Sequence, residues 1–229
     1  MAAPHCPLGS LAAQSAAIAA LHNVRLDNLI QAASAGNLAA QAELGERFGR
    51  GWRGAPEDLA QAAAWWQRAA AAHVAAAQSG LGYMNQRGLG GLNVDLVEAI
   101  RLYKLASEQG DGSALHSLGM CYENGIGVAQ DSVEAVRLFH LGAENGSASA
   151  QAALAYAYAL GRGVLLSIPE AQVWAQRAAD RGHADGQVTL AAIYLDHHHD
   201  KVNAEKYYKL AADQGHKMAI EKICAKFVM

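Results

Sequence analysis

Apolar and small residues recur along the chain with a period of 36 or 37 positions. Each period contains an apolar stripe with helical spacing, as in Ala114, Leu118, Gly119 and Tyr122, which fall at i, i+4, i+5 and i+8. A glycine-rich break follows this stripe, and a second stripe of helical spacing ends at another glycine. Each period therefore predicts two helices joined by a turn, and the recurrence predicts an all-α fold of stacked repeats.

A leucine marks the first predicted helix of every unit, and Gly or Ala always follows it. This leucine ladder consists of Leu44, Leu81, Leu118, Leu154 and Leu190. The turn residue eight positions upstream keeps the same step, at Gly36, His73, Gly110, Gly146 and Gly182. The second helices carry Trp, Tyr, Phe or Leu one turn before small residues, a pattern that allows bulky side chains to pack over alanines of a neighbouring helix. We therefore expect the Trp and Tyr residues of the second helices to lie in the core.

The start of the second helix has its own signature, an Asp or Ser followed three positions later by Glu. The pairs are Asp95 with Glu98, Asp131 with Glu134, and Ser167 with Glu170. This offset predicts a reciprocal cap, in which each side chain of the pair accepts from a backbone N–H of the other residue.

The repeat predicts one domain over residues 1–229. Residues 37–215 form five units, residues 10–36 an N-terminal helix pair, and residues 216–229 a closing helix, because a solenoid needs atypical ends. Two units depart from the pattern. Asn85 stands where the other units have an aromatic residue, and His197, His198 and His199 replace the glycine break of the fifth unit with a shorter loop.

The full pattern, Ala…Leu-Gly…Tyr…Gly-x-Gly…Asp…Glu-Ala…Leu-Tyr/Phe…Ala…Gly, resembles the Sel1-like repeat, a relative of the tetratricopeptide repeat. The resemblance covers the chain from about Leu38 to Gly215. It implies a right-handed α/α superhelix of helix-turn-helix repeats, whose first helices line a concave groove. Members of that family are typically adaptors, regulators or host-interaction proteins rather than catalysts. Some carry a disulfide in each repeat, and this sequence lacks those cysteines.

Charge and composition narrow the classes of partner. The formal net charge is −3 with both signs interspersed, so the basic stripe that nucleic acid binding requires is absent. No apolar run reaches the ~20 residues that would span a bilayer. Three widely spaced cysteines, Cys6, Cys121 and Cys224, indicate free thiols in a reducing compartment. We therefore expect a cytoplasmic protein, or a periplasmic or secreted one if an upstream signal has been removed.

Motifs that carry catalysis are missing from the sequence. There is no Gly-x-Ser-x-Gly elbow, no phosphate-binding loop and no His-Glu-x-x-His helix, so we predict neither an enzyme nor a cofactor. The run from Asp196 to Asp200, with His197–His199 at its centre, contains good ligands for zinc or nickel. Adjacent residues in a turn rarely converge on one ion, so a polar loop is the favoured interpretation and a metal site the alternative.

The surface of the predicted groove is the candidate functional site. Residues two, five and six positions after a ladder leucine should point away from the packing stripe. With His116, two positions before its leucine, added to this set, the candidate groove residues are Glu46, Arg50, Tyr83, Gln86, Arg87, His116, Met120, Glu123, Asn124 and Tyr156. Tyr, Met and Arg are enriched in binding patches, while an ordinary solvated helix face is the alternative.

These features predict a non-catalytic module that binds a partner protein or peptide along its concave face. A narrower alternative, permitted by the resemblance, is a bacterial immunity or regulatory protein that neutralises a toxin effector or controls a partner enzyme. The oligomeric state is left open.

The ladder itself can be tested at Leu118. If this leucine is buried as the period predicts, Leu118→Ala should lower the free energy of unfolding by about 2–5 kcal/mol. Urea denaturation followed by circular dichroism measures the change. A value near zero would mean that the phase of the repeat is misassigned.

Overall fold

A computed structural model describes residues 6–226 of the chain. Within these residues the backbone forms thirteen helices and no strand. The helices are α1 (Leu11–Ala19), α2 (Leu26–Ser34), α3 (Leu38–Arg50), α4 (Leu59–Ala71), α5 (Ala75–Arg87), α6 (Leu96–Glu108), α7 (Gly112–Asn124), α8 (Ser132–Glu144), α9 (Ala148–Leu160), α10 (Ile168–Asp180), α11 (Ala184–Asp196), α12 (Lys201–Asp213) and α13 (Lys217–Lys226). The predicted all-α repeat fold is confirmed.

The predicted helix pairs appear in order along the chain. The N-terminal pair is α1 with α2, the five repeats run from α3 to α12, and α13 is the closing helix. Residues 227–229, which the prediction placed in the last segment, lie outside the described residues. By their contacts the described residues fall into two compact parts, unit 1 (6–121 and 126–129) and unit 2 (122–125 and 130–226). The single repeat domain stays a prediction.

The helix ends follow from local chemistry. Gly51, Gly88 and Gly161 end the first helices of three repeats in the left-handed conformation, which an L side chain adopts only at a cost. The second helices begin with a capping oxygen. Asp95 accepts from the backbone N–H of Glu98 at 2.9 Å.

The reciprocal half of the predicted cap is wrong, because the backbone N–H groups of Asp95, Asp131 and Ser167 donate to the carbonyls of Asn85, Tyr122 and Tyr158, at 2.9, 2.9 and 3.0 Å. The Glu98 carboxylate forms two hydrogen bonds with the Arg101 guanidinium, each 2.7 Å long. Glu134 binds Arg137 in the same way. A bidentate, charge-assisted contact with an arginine one turn ahead is stronger than a single bond to the cap N–H, so the carboxylate turns forward.

The leucine ladder lies in the core. All five leucines are buried, and Leu118 is only 3% exposed. Of the Trp and Tyr residues of the second helices that were expected in the core, Trp66, Tyr103, Trp174 and Tyr208 are buried, whereas Trp65 and Tyr207 are only half-buried. The predicted phase of the repeat is therefore confirmed by burial.

Trp66 of α4 occupies a slot that only glycine permits. A Cβ on Gly45 of α3 would lie 2.3 Å from its indole Cδ1, and one on Gly80 of α5 would lie 2.7 Å from its Cε2. Atoms cannot approach this closely, so the ring packs directly against the backbones of both helices. Tyr103 packs in the same way on Gly82, where a Cβ would lie 2.8 Å away.

A second close approach involves the last glycine of the break. A Cβ on Gly90 would lie 2.4 Å from the carbonyl oxygen of Leu59, and one on Gly163 would lie 2.0 Å from that of Ser132. Leu59 and Ser132 are the first residues of α4 and α8. In both places the loop of one repeat therefore packs against the start of the second helix of the preceding repeat.

The slot around Trp66 predicts different outcomes for two Gly→Ala changes in the same helix. Gly45→Ala should lower the free energy of unfolding by about 1–3 kcal/mol, because Trp66 must move. Gly49→Ala, whose Cβ would lie 3.2 Å from the same ring, should change it by less than about 1 kcal/mol, because alanine also favours the helix. Chemical denaturation of both variants measures this, and equal effects would exclude the slot.

Candidate functional site

Unit 1 contains a pocket of about 650 Å³ that is lined mainly by residues of α3, α4 and α5. The end of α1 and the start of α7 complete it. We call it the unit 1 pocket; its lining includes Ile18, His22, Glu43, Glu46, Gly49, Arg50, Trp52, Arg53, Trp66, Ala76, Ser79, Gly80, Tyr83, Asp111, Ser113 and Ser117. Trp66 is its most deeply buried aromatic ring, so the glycine slot also forms the pocket floor.

Three of the seven candidate groove residues in unit 1 line this pocket. Glu46 and Arg50 form an ion pair one turn apart on α3. Tyr83 lies on α5 with its side chain half exposed, and the Arg87 guanidinium stands 5.8 Å from the centre of its ring. The structure thus brings together a tyrosine, two arginines and a carboxylate on one face.

Three further candidates in unit 1, Gln86, His116 and Met120, do not line the pocket. Gln86 Oε1 accepts a hydrogen bond of 2.9 Å from the hydroxyl of the buried Tyr103, so its side chain serves packing. His116 is half-buried and Met120 exposed on α7, and neither lines the pocket.

The candidates in unit 2 form a separate small cluster. Arg162, in the loop after α9, lies 3.7 Å from the Glu123 carboxylate. The same guanidinium stands 5.5 Å from the centre of the Tyr156 ring. Asn124 is exposed at the end of α7. Arg162 therefore joins two candidate residues that the sequence could not place together.

The sequence interpretation missed the loop residues of the pocket rim. Trp52 stands between two guanidinium groups, 5.0 Å from Arg50 and 4.7 Å from Arg53. Cation–π contacts of this kind hold an exposed aromatic ring in one orientation. The signal was the run Arg50-Gly51-Trp52-Arg53, which places a large aromatic residue in a loop rather than on a core stripe.

The small residues of the pocket wall were also missed. Ala76, Gly80, Ser113 and Ser117 precede their ladder leucines by one or five positions, one turn upstream of the positions that the period singled out. They face the same side because residues three or four apart share a helix face. Their small size is what leaves room for a cavity.

A buried carboxylate stabilises the wall where α1 meets α3. Glu43 is 1% exposed, and its oxygens lie 2.7 Å from Arg47, 3.1 Å from Arg53 and 3.5 Å from His22. The equally buried Arg47 also donates to the carbonyls of Leu21, His22 and Val24, at 2.8, 3.0 and 2.8 Å. Loss of either Glu43 or Arg47 would leave the other charge buried and poorly compensated, so this wall is expected to be rigid.

Asp111 contributes a carboxyl group to the opposite wall. It caps α7 by accepting from Ala114 N at 2.8 Å. Burial raises its pKa above the ordinary value, and the hydrogen bonds from Ala114 and Ser79 offset only part of that effect. The pocket therefore contains two carboxylates paired with arginines, Glu43 and Glu46, and a third, Asp111, whose charged form is disfavoured.

Unit 2 contains a hydroxyl, an imidazole and a carboxylate that lie near one another, those of Ser149, His183 and Asp185. Ser149 Oγ lies 3.1 Å from His183 Nε2, but His183 Nδ1 and Asp185 Oδ2 are 3.8 Å apart, beyond hydrogen-bond reach. Asp185 is largely exposed and lies closer to His216, at 3.0 Å. A catalytic triad needs the carboxylate to orient the imidazole, so these contacts link helix starts instead.

The histidine turn after α11 is occupied by protein contacts. His198 Nε2 lies 2.9 Å from Gln172 Oε1, and its ring stands 5.7 Å from that of Tyr194. Across residues 6–226, His, Cys, Asp and Glu side chains do not assemble in any group of three or more that could hold a metal ion. The absence of a metal site at this turn stays a prediction.

The class of protein follows from these observations: an all-α protein of repeated helix pairs with an open pocket on the first helices. The Sel1 repeat family model matches residues 38–73, 75–111, 112–147, 148–183 and 198–216. The chain therefore belongs to the Sel1 repeat family. Proteins of this family generally mediate protein–protein interactions and are generally non-catalytic scaffolds.

Solved structures of similar proteins agree with this assignment. A Sel1 repeat protein from Oxalobacter formigenes is 29% identical with a TM-score of 0.74, and the match covers 88% of this chain and 85% of that one. A protective antigen of uropathogenic Escherichia coli is 25% identical with a TM-score of 0.51, over 96% of this chain and 57% of that one. The immunity protein Pa5087 from Pseudomonas aeruginosa, 18% identical with a TM-score of 0.59 over 98% and 90% of the two chains, shares the fold.

A comparison with curated proteins found no match to the chain. Among the helices of residues 6–226, none combines the length and apolar character that crossing a membrane requires.

The carboxyl group of Asp111 makes stability depend on pH with a defined sign. Because its folded-state pKa is raised, it favours the folded state most below its ordinary pKa of 3.8, and this contribution is lost as pH rises through the folded-state pKa. Asp111→Asn keeps a capping oxygen but cannot ionise. The variant should therefore gain stability relative to the unmodified chain as pH rises from acid to neutral.

A control with the opposite sign is available at another cap. Hydrogen bonds from Gln61 lower the pKa of Asp58, the cap of α4, so Asp58→Asn should lose relative stability over the same pH range. Denaturation of the three chains at several pH values measures both trends. Parallel trends for the two variants would contradict the assignment for Asp111.

Proposed function

We propose that this Sel1 repeat protein is a non-catalytic binding module whose unit 1 pocket receives side chains of a partner protein or peptide. The observation that carries the proposal is the gathering of Trp52, Trp66, Tyr83, Arg50 and Arg53 around one cavity. Tryptophan, tyrosine and arginine are the residues that most often dominate binding energy at protein interfaces. Their concentration at one open site supports a binding surface over an ordinary solvated face.

The pocket supports a particular kind of contact. Its volume of about 650 Å³ fits one or a few side chains of an extended or helical segment. Trp66 at the floor offers an apolar surface, and the guanidinium groups of Arg50 and Arg53 stand at the rim beside Trp52. An apolar anchor with hydrogen-bond acceptors beside it therefore suits this site.

We further propose that the surface extends beyond the pocket in unit 1. Arg87 continues it through its contact with Tyr83, and the exposed Met120 adds an apolar side chain on α7. In unit 2, Glu123, Arg162 and Tyr156 form a second, smaller candidate surface.

A narrower candidate is an immunity or regulatory protein that neutralises a toxin effector or a partner enzyme. The fold shared with the immunity protein Pa5087 motivates it, although a likeness at that identity supports the fold alone. The genes beside the coding sequence decide between the two roles. A neighbouring phospholipase or nuclease effector would favour immunity, and unrelated neighbours would favour a general adaptor.

The pocket is tested by the double change Trp52→Ala and Tyr83→Ala. It removes two exposed rings, so helicity should be unchanged while capture of protein partners from cells of the source organism falls by about tenfold or more. Quantitative mass spectrometry of the captured proteins measures this. Addition of Arg87→Ala and Met120→Ala should weaken capture further if the surface extends onto α7.

The matched control is the double change Val94→Ala and Val97→Ala. Both valines are exposed in unit 1, at the start of the second helix α6, and neither lines the pocket. The control should capture partners as the unmodified chain does. Equal capture by the pocket variant and the unmodified chain would show that the binding face is elsewhere.

A further inference from the structure

The N-terminal helix α1 lies across α3 and α5 of unit 1 with little packing of its own. Gln14 is its single buried side chain, at 2% exposure. Leu11, Ala17 and Ile18 are half-buried, and the rest of the helix is exposed. A helix whose only fully buried side chain is polar, and whose apolar side chains are only half-buried, depends on specific polar contacts more than on a hydrophobic core.

The specific contacts of α1 are hydrogen bonds to the carboxamide of Gln14. Ala75 N donates to Gln14 Oε1 at 3.0 Å, and Gln14 Nε2 donates to Gln109 Oε1 at 3.0 Å. We call the Ala75 N–H and Gln109 Oε1 together the α1 seat. The α1 seat presents one hydrogen-bond donor and one acceptor, the complement of a carboxamide. A carboxylate would leave Gln109 Oε1 facing another acceptor, and an alkyl group would leave the buried Ala75 N–H unpaired.

The seat is part of unit 1 and is independent of α1. Gln109 Nε2 donates to Gln78 Oε1 at 2.8 Å, which aims its Oε1 outward. Gln214 and Gln187, at the corresponding positions of a repeat in unit 2, make the same bond at 2.8 Å. Val74 precedes α5 and provides no side-chain cap, so the Ala75 N–H needs an acceptor from another segment.

An apolar contact of α1 follows Gln14 one helical turn later. Ile18 stands four positions after Gln14 and packs on the core of unit 1, and Leu21, in the turn after α1, packs there as well. Ile18 also forms part of the wall of the unit 1 pocket. Anchors spaced in this way on one face are how an amphipathic helix binds in a groove.

The two ends of α1 are held in different ways. The turn that follows α1 is fixed by Arg47, which donates to the carbonyls of Leu21 and His22. The helix body depends on the Gln14 contacts. Release of that side chain would let α1 leave α3 and α5 while the turn stays anchored, and the groove beside the pocket would open.

We propose that the α1 seat is the receptor for a partner helix that carries a glutamine followed by an aliphatic residue four positions later. In the free chain α1 occupies the seat, and the partner helix displaces it. This inference rests on the proposed function and specifies the partner chemistry of the same face. The Ala75 N–H and Gln109 Oε1 provide the specificity, and Ile18 marks where the partner's anchor would pack.

The experiment uses the full chain and a fluorescent synthetic peptide with the sequence of residues 9–20. Gln14→Ala in the chain should open the seat, so the peptide should bind this variant about tenfold or more tightly than it binds the unmodified chain. Ser15→Ala, a change at an exposed position of α1, is the matched control and should behave as the unmodified chain. Fluorescence anisotropy measures the affinities, and circular dichroism verifies the fold.

Two further variants test the recognition itself. A peptide with Gln14→Ala should not bind any of the chains. Addition of Gln109→Ala to the Gln14→Ala chain should abolish binding of the natural peptide. Binding that survives either change, equal binding to the chains that differ at position 14, or no binding to any chain would overturn the proposal.

The unmodified chain provides an independent measurement. Hydrogen exchange should show the amides of α1 opening separately from those of α3 and α5, since few contacts hold the helix. Opening of all three together would overturn displacement. A concentration-dependent dimer in light scattering that the peptide dissociates would assign the seat to a second copy of this chain. Failure of the peptide with an intact effect of the Trp52 and Tyr83 changes would reject the seat alone, and the reverse result would reject the pocket alone.

Discussion

The packing of Trp66 between two helix backbones is the contact on which unit 1 depends. Its indole fills the space that the missing side chains of Gly45 and Gly80 leave between α3 and α5. The ring thereby sets the spacing of the two first helices and forms the floor of the pocket between them. One close approach thus determines both how the repeats stack and how deep a cavity they enclose.

Polar contacts hold the N-terminal segment against the repeats of unit 1. Buried Glu43 and Arg47 fix the turn after α1 against α3, and Gln14 fixes the helix itself over the start of α5. These interactions are strong where they are buried and specific in direction, because an unpaired buried donor or charge is costly. The N-terminal segment is therefore positioned by a few exact pairings, whereas the repeats are held by many interchangeable apolar contacts.

Several residues with candidate roles lie outside the regular positions of the repeat. Trp52 lies in a loop, Gln14 in the atypical N-terminal helix, and Arg162 in a turn. Others, such as Arg50 and Tyr83, occupy regular outward-facing positions of the first helices. The repeat pattern therefore identifies only part of the candidate surface.

The sequence alone determined the helix pairs, their boundaries to within a few residues and the buried leucine ladder, because apolar periodicity is a local signal that survives without knowledge of neighbours. It also identified Tyr83 and Arg50 as outward-facing residues. Only the tertiary structure decided that Gln86 turns to Tyr103, that the glutamates of two caps turn to arginines, and that Gln14 meets Ala75 and Gln109. Those contacts join residues that are far apart in sequence or that compete among several partners, so their outcome depends on the distances that folding sets.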